Sequence, residues 1–216
     1  MLYTHIVWDF NGTILDDVDV GMEATNVLLR RRGLAPVASR DVYYRLFRFP
    51  VQDYYTDIGF DFSRESYADV AVEWAVEYRR LMPSAALRPG VRAALDAFRA
   101  AAVPQTVLSA SEEGLLREQL AALDVLSCFE TVIGRSDVHA TDKVSLARAF
   151  AEQRRPGRVL MIGDTDHDAA CARAAGFSCA LIAGGHQSRA RLSACNCPVY
   201  DSFGELLASL RREGAL

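Results

Sequence analysis

Residues 5–13 read HIVWDFNGT, and this stretch decides the fold. It predicts a short buried strand over residues 5–10, because the apolar run ends abruptly at the turn-forming residues Asn11-Gly12-Thr13. Asp9 is therefore expected at the C-terminal end of a strand. A carboxylate there can face a ligand while N–H groups of the turn bind an anion. Taken alone, the same stretch is also typical of an ordinary turn.

Downstream of the Pro89-Gly90 pair, predicted strands and helices alternate strictly. The predicted strands are 105–108, 129–133, 158–162, 178–182 and a short one near Val199, and helices are expected between them and through Leu210. Strict alternation predicts an α/β fold, a Rossmann-like doubly wound parallel sheet with helices on both faces. Ligands of such sheets gather at the carboxyl ends of the strands.

Residues 16–87 differ, since their apolar positions follow helical periodicity and no convincing strand occurs among them. They include an aromatic stretch from 43 to 62 and an amphipathic run from 64 to 81. We predict a catalytic core domain formed by 1–15 and 88–216, with 16–87 inserted as a helical domain.

The composition of the chain excludes some classes of function. The 216 residues are 50% hydrophobic and carry a net charge of −4, so the chain can bury a large core but offers no basic surface for nucleic acid or an anionic membrane. We expect a cytoplasmic protein, because no basic leader or membrane-spanning apolar run is visible. A monomer or a homodimer is expected. Five scattered cysteines favour reduced thiols, and the Cys195-x-Cys197 pair is only a weak hint of metal.

Two further strand ends carry polar side chains. Ser109 ends the apolar strand in TVLSAS before a predicted helix, where a hydroxyl and helix N–H groups can bind phosphate, although Ser109 or Ser111 can equally be a helix cap. Lys143 opens the helix of TDKVSLARAF. A lone lysine is usually a surface charge, and Thr141 or Asp142 would be enough to cap the helix. However, Lys143 is the only lysine among the 24 basic residues, and the other 23 are arginine. A compact ammonium is therefore chemically distinctive here.

The fourth strand end reads GDTDHD over residues 163–168, directly after RVLMI. Its acids Asp164, Asp166 and Asp168 form a like-charge cluster that a cation would neutralise, and oxygen ligands suit Mg²⁺. The alternative is a helix cap at Thr165 or Asp166, with Asp168 in the first turn of the helix.

These four strand ends together resemble the four motifs of the haloacid dehalogenase-like superfamily. The pattern is DxxGT at residues 9–13, then Ser109, Lys143 and GDTxxD at 163–168, followed by Ala175-Gly176. The resemblance covers the whole chain, and residues 16–87 resemble the helical C1 cap domain of that superfamily. It implies a hydrolase of the phosphoglycolate phosphatase-like branch.

The resemblance also implies roles. Asp9 would attack phosphorus to form an aspartyl-phosphate that water hydrolyses, with Lys143 assisting catalysis. Mg²⁺ would be held by Asp9, the Asn11 backbone carbonyl and Asp164, with Asp168 binding directly or through water. The residues implied to bind the phosphate are Asn11, Gly12, Thr13, Ser109, Ala110 and Lys143.

Asn11 departs from the pattern, because phosphatases of this superfamily usually carry an aspartate there that protonates the leaving oxygen. We therefore expect slow turnover, a substrate with a good leaving group, or another proton donor such as His167 or a cap residue. Alternatively, Asn11 merely forms the turn.

The substrate is expected to be a small organic phosphate, with Arg45, Arg48 and Tyr55 as candidate specificity residues in the cap. Two other functions stay open. One is a weakly catalytic phosphate-binding or regulatory protein. The other is a metal-independent dehalogenase, which would not need the acids of residues 164–168.

Overall fold

The computed structural model describes residues 2–135 and 142–216, and these form eight strands and ten α-helices. The strands are β1 (His5–Trp8), β2 (Leu15–Asp16), β3 (Ala86–Leu87), β4 (Gln105–Glu112), β5 (Thr131–Arg135), β6 (Val159–Gly163), β7 (Ser178–Ile182) and β8 (Val199–Tyr200). The helices are α1 (Val18–Arg31), α2 (Arg40–Leu46), α3 (Val51–Asp57), α4 (Tyr67–Leu81), α5 (Val91–Ala100), α6 (Glu113–Ala122), α7 (Lys143–Arg154), α8 (Asp166–Ala175), α9 (Arg189–Leu192) and α10 (Phe203–Arg212).

Six of the strands form one parallel sheet in the order β5-β4-β1-β6-β7-β8. β1 lies inside the sheet, with Trp8 opposite Val107 of β4 and Ile162 of β6. The predicted α/β class with a parallel sheet is confirmed. β2 and β3 pair with each other as a separate two-stranded sheet, where the sequence indicated no strand.

The chain divides into two compact units, one comprising Met1–Leu15 and Leu87–Leu216 and the other Asp16–Ala86. In the first unit, helices cover both faces of the sheet. On one face, the Trp8 ring contacts Phe98 of α5 and Phe203 of α10. On the opposite face, Val7 belongs to a buried cluster with residues of α7 and α8. Successive residues of β1 thus anchor opposite helical layers, as the alternation of side chains along a strand requires.

The second unit consists of α1 to α4 around an aromatic core. α1 turns its apolar positions inward, and Leu28 and Leu29 are fully buried there with Tyr43 and Tyr54. α4 begins after Ser66, whose hydroxyl accepts a hydrogen bond from the Ala68 N–H. Within the described residues, none of the helices has both the length and the apolarity needed to cross a bilayer.

The largest departure from prediction is β4, which we expected to end near Leu108 but which continues to Glu112 after a register shift against β5. Glu112 caps α6 by accepting hydrogen bonds from Gly114 and Leu115 N–H groups. The alternative in which Ser109 or Ser111 caps this helix is therefore wrong. At α7 the cap is Asp142, while Thr141 lies outside the described residues.

Candidate active site

The parallel pairing of β1 with β6 brings the first and fourth motifs together. Asp9 follows β1 directly, and its N–H donates to the Ile162 carbonyl of β6 at 2.9 Å. Asp164 follows β6 in the same way. Both carboxylates therefore lie at the carboxyl edge of the sheet, where α/β folds bind ligands.

Three buried carboxylates meet at this edge. Asp9, Asp164 and Asp168 each contribute an oxygen atom, and these atoms lie within 4.8 Å of one another. Their exposed fractions are 6%, 0% and 1%. Three like charges this close and this deeply buried repel one another strongly unless a cation balances them.

Lys143 supplies one positive charge to the cluster. It is the first residue of α7, and its ammonium donates to Asp9 Oδ1 and, at 2.5 Å, to Asp168 Oδ1. The side chain is 5% exposed. The surface-charge interpretation of Lys143 is therefore wrong. With one ammonium and three carboxylates, the cluster keeps a net negative charge when all four groups are ionised.

This net negative charge shifts the pKa values of the cluster. Burial, reinforced by Asp168, raises the pKa of Asp9, and burial also raises the pKa of Asp164. Burial acts in the same direction on Asp168, but the Lys143 charge outweighs it and lowers the pKa of Asp168. Burial would lower the pKa of Lys143, yet Asp168 and Asp9 outweigh it and the pKa is raised. The Lys143–Asp168 pair thus stays ionised, whereas Asp9 and Asp164 favour neutralisation.

Asp168 serves the helix and the cluster at once. Thr165 caps α8, and the Asp168 carboxylate completes a capping box by accepting from the Thr165 N–H at 3.0 Å. The capping interpretation is therefore correct for this residue. The other oxygen of Asp168 contacts Lys143, so the cap also fixes the carboxylate within the cluster. Asp166 is not part of it and pairs with Arg191 at 2.9 Å.

Thr13 contacts two carboxylates with a single hydroxyl. Its Oγ1 lies 3.0 Å from Asp9 Oδ2 and 2.6 Å from Asp164 Oδ1. A hydroxyl carries one proton, so it can donate to only one of these oxygens at a time. The backbone N–H of Thr13 donates to the Phe10 carbonyl. Both polar hydrogens of Thr13 thus bond within the protein, and its predicted contact with phosphate stays a prediction.

The donor set fits a hard divalent cation. Asp9 and Asp164 share one hydroxyl proton between them, all three acids are buried, and the available atoms are oxygens, which suit Mg²⁺. A bound divalent cation would balance the charge that Lys143 leaves over. The Asn11 backbone carbonyl belongs to the turn next to Asp9 and completes the predicted ligand set.

The turn after β1 is fitted closely around this cluster. Gly12 has φ of +72°, and a Cβ built on it would lie 2.3 Å from Asp164 Oδ2. A side chain at this position would therefore collide with a buried carboxylate as well as strain the backbone. The Gly12 carbonyl accepts a hydrogen bond from Arg88 Nη1 at 2.6 Å.

Two residues that sequence reasoning missed border the same turn. Arg88 also donates through Nη2 to the Ala183 carbonyl at 2.8 Å, so it ties the turn to the loop after β7. In that loop, the His186 N–H donates to Asp164 Oδ2 at 2.6 Å. The only sequence signal for His186 is its place after Gly184-Gly185, which follow the end of a predicted strand.

Asn11 is connected to Ser109 through a third residue, Ser111. Ser109 Oγ lies 3.1 Å from Ser111 Oγ, which in turn donates to Asn11 Oδ1 at 3.1 Å. The side chain of Ser109 is buried, whereas Ala110 is exposed. The second and first motifs are therefore joined by a chain of hydroxyl hydrogen bonds.

The predicted specificity residues all belong to the helical unit. Tyr55 is 4% exposed and packs edge-on against Tyr54 and Phe60, so it is part of the aromatic core rather than a ligand-facing residue. Arg48 pairs with Asp53 and Asp57 of α3. Arg45 is exposed. His167, the proposed substitute acid, lies next to Cys171 on α8, with its Nδ1 3.9 Å from the thiol sulfur.

Comparison with known families identifies one model that matches most of the chain. Residues 6–182 match the family described as haloacid dehalogenase-like hydrolase. Among curated proteins, tyrosine-protein kinase PtkA of Mycobacterium tuberculosis (strain ATCC 25618 / H37Rv) is 27% identical over 84% of the chain. The chain spans 62% of the length of that relative.

Solved structures repeat the fold at low identity. The structure of M. tuberculosis PtkA has a TM-score of 0.80 at 23% identity, covering 96% of this chain and 98% of that one. A HAD family hydrolase from Deinococcus radiodurans R1, with bound phosphate and sodium, has a TM-score of 0.74 at 23% identity, covering 100% and 98%. A predicted phosphoglycolate phosphatase from Haemophilus somnus 129pt has a TM-score of 0.75 at 16% identity, covering 96% and 98%.

Proposed function

Because this chain belongs to the haloacid dehalogenase-like hydrolase family, we propose that it hydrolyses phosphate esters of small organic molecules with Asp9 as the nucleophile. The observation that carries the proposal is the buried cluster of Asp9, Asp164 and Asp168 around Lys143. Burying these charges together lowers the stability of the folded protein. A catalytic role explains why the cluster is present, because active sites arrange charges in this way to shift the pKa values of the reacting groups.

Asp9 is positioned for attack by its neighbours. Lys143 contacts Oδ1 and the Thr13 hydroxyl contacts Oδ2, so the carboxylate plane is fixed. Nucleophilic attack requires the ionised form, whereas burial favours the neutral one. Asp9, Asp164 and the Asn11 carbonyl would hold Mg²⁺, with Asp168 binding directly or through water. When bound, Mg²⁺ supplies the positive charge that keeps these acids ionised and polarises the phosphoryl oxygens.

The transferring phosphoryl group needs donors for its oxygens. Lys143 offers its ammonium, Ser109 its hydroxyl, and Gly12 and Ala110 their backbone N–H groups. Attack by Asp9 forms an aspartyl-phosphate while the bond from phosphorus to the leaving oxygen breaks. Water then hydrolyses the aspartyl-phosphate and returns Asp9 to its carboxylate form.

Asn11 limits the leaving group. An amide has no proton to give to a departing alkoxide, and general acid help is typically worth about 10²–10⁴-fold. The Ser111 hydroxyl donates to Asn11 Oδ1, so the amide oxygen is held by a hydrogen bond within the protein. We therefore propose that acyl and aryl phosphates are hydrolysed much faster than alkyl phosphates.

The unit Asp16–Ala86 is proposed to act as a cap that selects small monophosphates such as phosphoglycolate or a sugar phosphate. Arg45 and Arg48 remain the candidate specificity residues in it, and Tyr55 is withdrawn because it is part of the core. Failure of Arg45→Ala and Arg48→Ala to change KM on every accepted substrate would contradict their assignment. A cytoplasmic location and a monomeric or dimeric state stay predictions from the sequence.

A second candidate is a phosphate-binding protein with little turnover, and Asn11 is the residue that favours it. A metal-independent dehalogenase is disfavoured, because it has no use for Asp164 and Asp168 in the cluster. The kinase name of the mycobacterial relative adds one further reaction to test, phosphoryl transfer from a nucleotide to tyrosine.

The test is phosphate release with and without Mg²⁺ across acetyl phosphate, p-nitrophenyl phosphate, alkyl phosphates and sugar phosphates. Asp9→Asn serves as the blank, and a separate reaction with ATP and a tyrosine peptide tests transfer. Metal-dependent release that Asp9→Asn abolishes supports the phosphatase. If release never exceeds the Asp9→Asn blank while inorganic phosphate still binds, the phosphate-binding candidate replaces it.

A further inference from the structure

Three thiols converge in the unit that comprises Met1–Leu15 and Leu87–Leu216. Cys179 lies on β7, while Cys195 and Cys197 precede β8. All three border one small apolar cluster around Leu181 and Leu192. Each of the thiols is reduced and half-buried, so they remain within reach of solutes.

The pairing of β7 with β8 brings Cys179 and Cys197 to the same end of the two strands. β7 and β8 run parallel with Leu181 opposite Val199, and the Leu181 N–H donates to the Pro198 carbonyl at 2.9 Å. Two residues before these partners lie Cys179 on β7 and Cys197 in the segment that leads into β8. Both side chains pack, with Val199, against the apolar cluster that contains Leu181. Neighbouring strands are about 4.8 Å apart, within the range of about 4.4–6.8 Å between the Cα atoms of a disulfide.

The two thiols already interact. The closeness of the two sulfurs raises the pKa of Cys179 and lowers the pKa of Cys197. Burial opposes the lowering at Cys197, and the nearby charge of Arg173 adds to it. Cys197 is therefore the better nucleophile of the pair, since the thiolate is the reactive form.

We propose that Cys179 and Cys197 are a redox pair that forms a reversible disulfide with a small-molecule disulfide as oxidant. The Cys197 thiolate attacks one sulfur of the oxidant and expels the other as a thiolate, which takes up a proton. Cys179 then loses its proton and attacks the Cys197 sulfur, which breaks the mixed disulfide and expels the second small thiolate. The protein loses two electrons and two protons, and one oxidant becomes two thiols.

The bond would enclose a segment that contacts the acidic cluster. Seventeen residues lie between the two cysteines, and they include His186, whose N–H bonds Asp164, and Arg191, which pairs with Asp166. Closing this ring restricts the unfolded chain. The melting temperature is expected to rise by about 6–12 °C on oxidation.

The experiment incubates the full chain with oxidised glutathione and counts free thiols under denaturing conditions. We expect the count to fall from five to three, a cross-linked peptide that joins Cys179 to Cys197, the rise in melting temperature, and reversal by dithiothreitol. Cys128→Ser and Cys195→Ser should behave like the wild type. Cys179→Ser and Cys197→Ser should remove the cross-link.

Two results would overturn the proposal. One is a cross-link that joins Cys195 to either of the other two thiols. The other is a wild-type protein whose five thiols persist, or end only as mixed disulfides with glutathione, after equilibration. Both results are read on the wild-type chain, so neither depends on whether a serine variant folds.

Discussion

Replacing Asp9 with asparagine should stabilise the metal-free protein even though it removes the proposed nucleophile. Burial raises the pKa of Asp9, so the folded protein holds a proton that the unfolded chain releases. Stability therefore falls as pH rises from about 4 through the folded pKa, and at neutral pH the ionisable carboxyl is a net cost. Asparagine has the same shape without this cost.

The size of the stabilisation by Asp9→Asn depends on the distances between the charged groups of the cluster. The cluster oxygens lie within 4.8 Å of one another, and at that distance each like-charge pair costs about 3.5 kcal/mol at an effective dielectric constant of 20. Asp9 takes part in two such pairs, which its contact with Lys143 offsets, while burial of the carboxylate adds a further cost that raises its pKa. Because the carboxyl is buried and protonation relieves part of this cost, we expect a gain of about 2 kcal/mol from Asp9→Asn, or about 4–8 °C in melting temperature.

The assay is thermal unfolding in EDTA between pH 5 and pH 8.5. The advantage of Asp9→Asn should be largest at the alkaline end and shrink as pH falls. Asp166→Asn is the matched control, because that carboxylate lies outside the cluster and pairs with Arg191, so its loss should bring no gain. Adding Mg²⁺ should raise the melting temperature of the wild type more than that of Asp9→Asn.

A lower melting temperature for Asp9→Asn at pH 8 in EDTA would refute the reasoning. It would mean that Lys143 fully compensates the carboxylates and that no charge is left for a cation to balance.

The other predictions concern the turn after β1 and the side chains that hold it. Asn11→Asp should raise kcat/KM for alkyl phosphates by about 10²–10⁴-fold and leave acetyl phosphate almost unchanged; an equal change on both substrates would count against a leaving-group role. Gly12→Ala should abolish Mg²⁺-dependent phosphate release, because its Cβ would lie 2.3 Å from Asp164 Oδ2. Release at the wild-type rate by this variant would show that the turn does not pack closely against Asp164. Arg88→Met, which removes two hydrogen bonds to backbone carbonyls, should lower the free energy of unfolding in urea by about 2–4 kcal/mol, and Arg88→Lys should recover only part of it.

The fold and the acidic cluster were predictable because their signals are local or compositional. The strand at β1, the alternation after residue 88 and the motif at 163–168 follow from patterns within about ten residues. Lys143 was singled out by being the only lysine in the chain, and its burial agrees with that choice. Parallel pairing then brings together residues that lie far apart in sequence.

The contacts that the sequence did not reveal depend on loop geometry. Arg88 is one of 23 arginines and His186 one of four histidines, and nothing near either residue indicates which carbonyl or carboxylate it will reach. The hydrogen bond from Ser111 to Asn11 required β4 to run past Leu108. Tyr55 failed as a specificity candidate because an aromatic residue in a helical module gives no sign of which side faces the core.

The central place of β1 has a consequence for synthesis on the ribosome. Its partners are residues 105–107 of β4 and 159–162 of β6, so β1 can complete its pairing only after some 150 further residues have been made. At typical elongation rates of 5–20 residues per second, that interval is roughly 8–30 s. Until β4 has been made, the apolar stretch Ile6-Val7-Trp8 has neither of its neighbouring strands. Asp9, directly after this stretch, can therefore meet Lys143, Asp164 and Asp168 only late in synthesis.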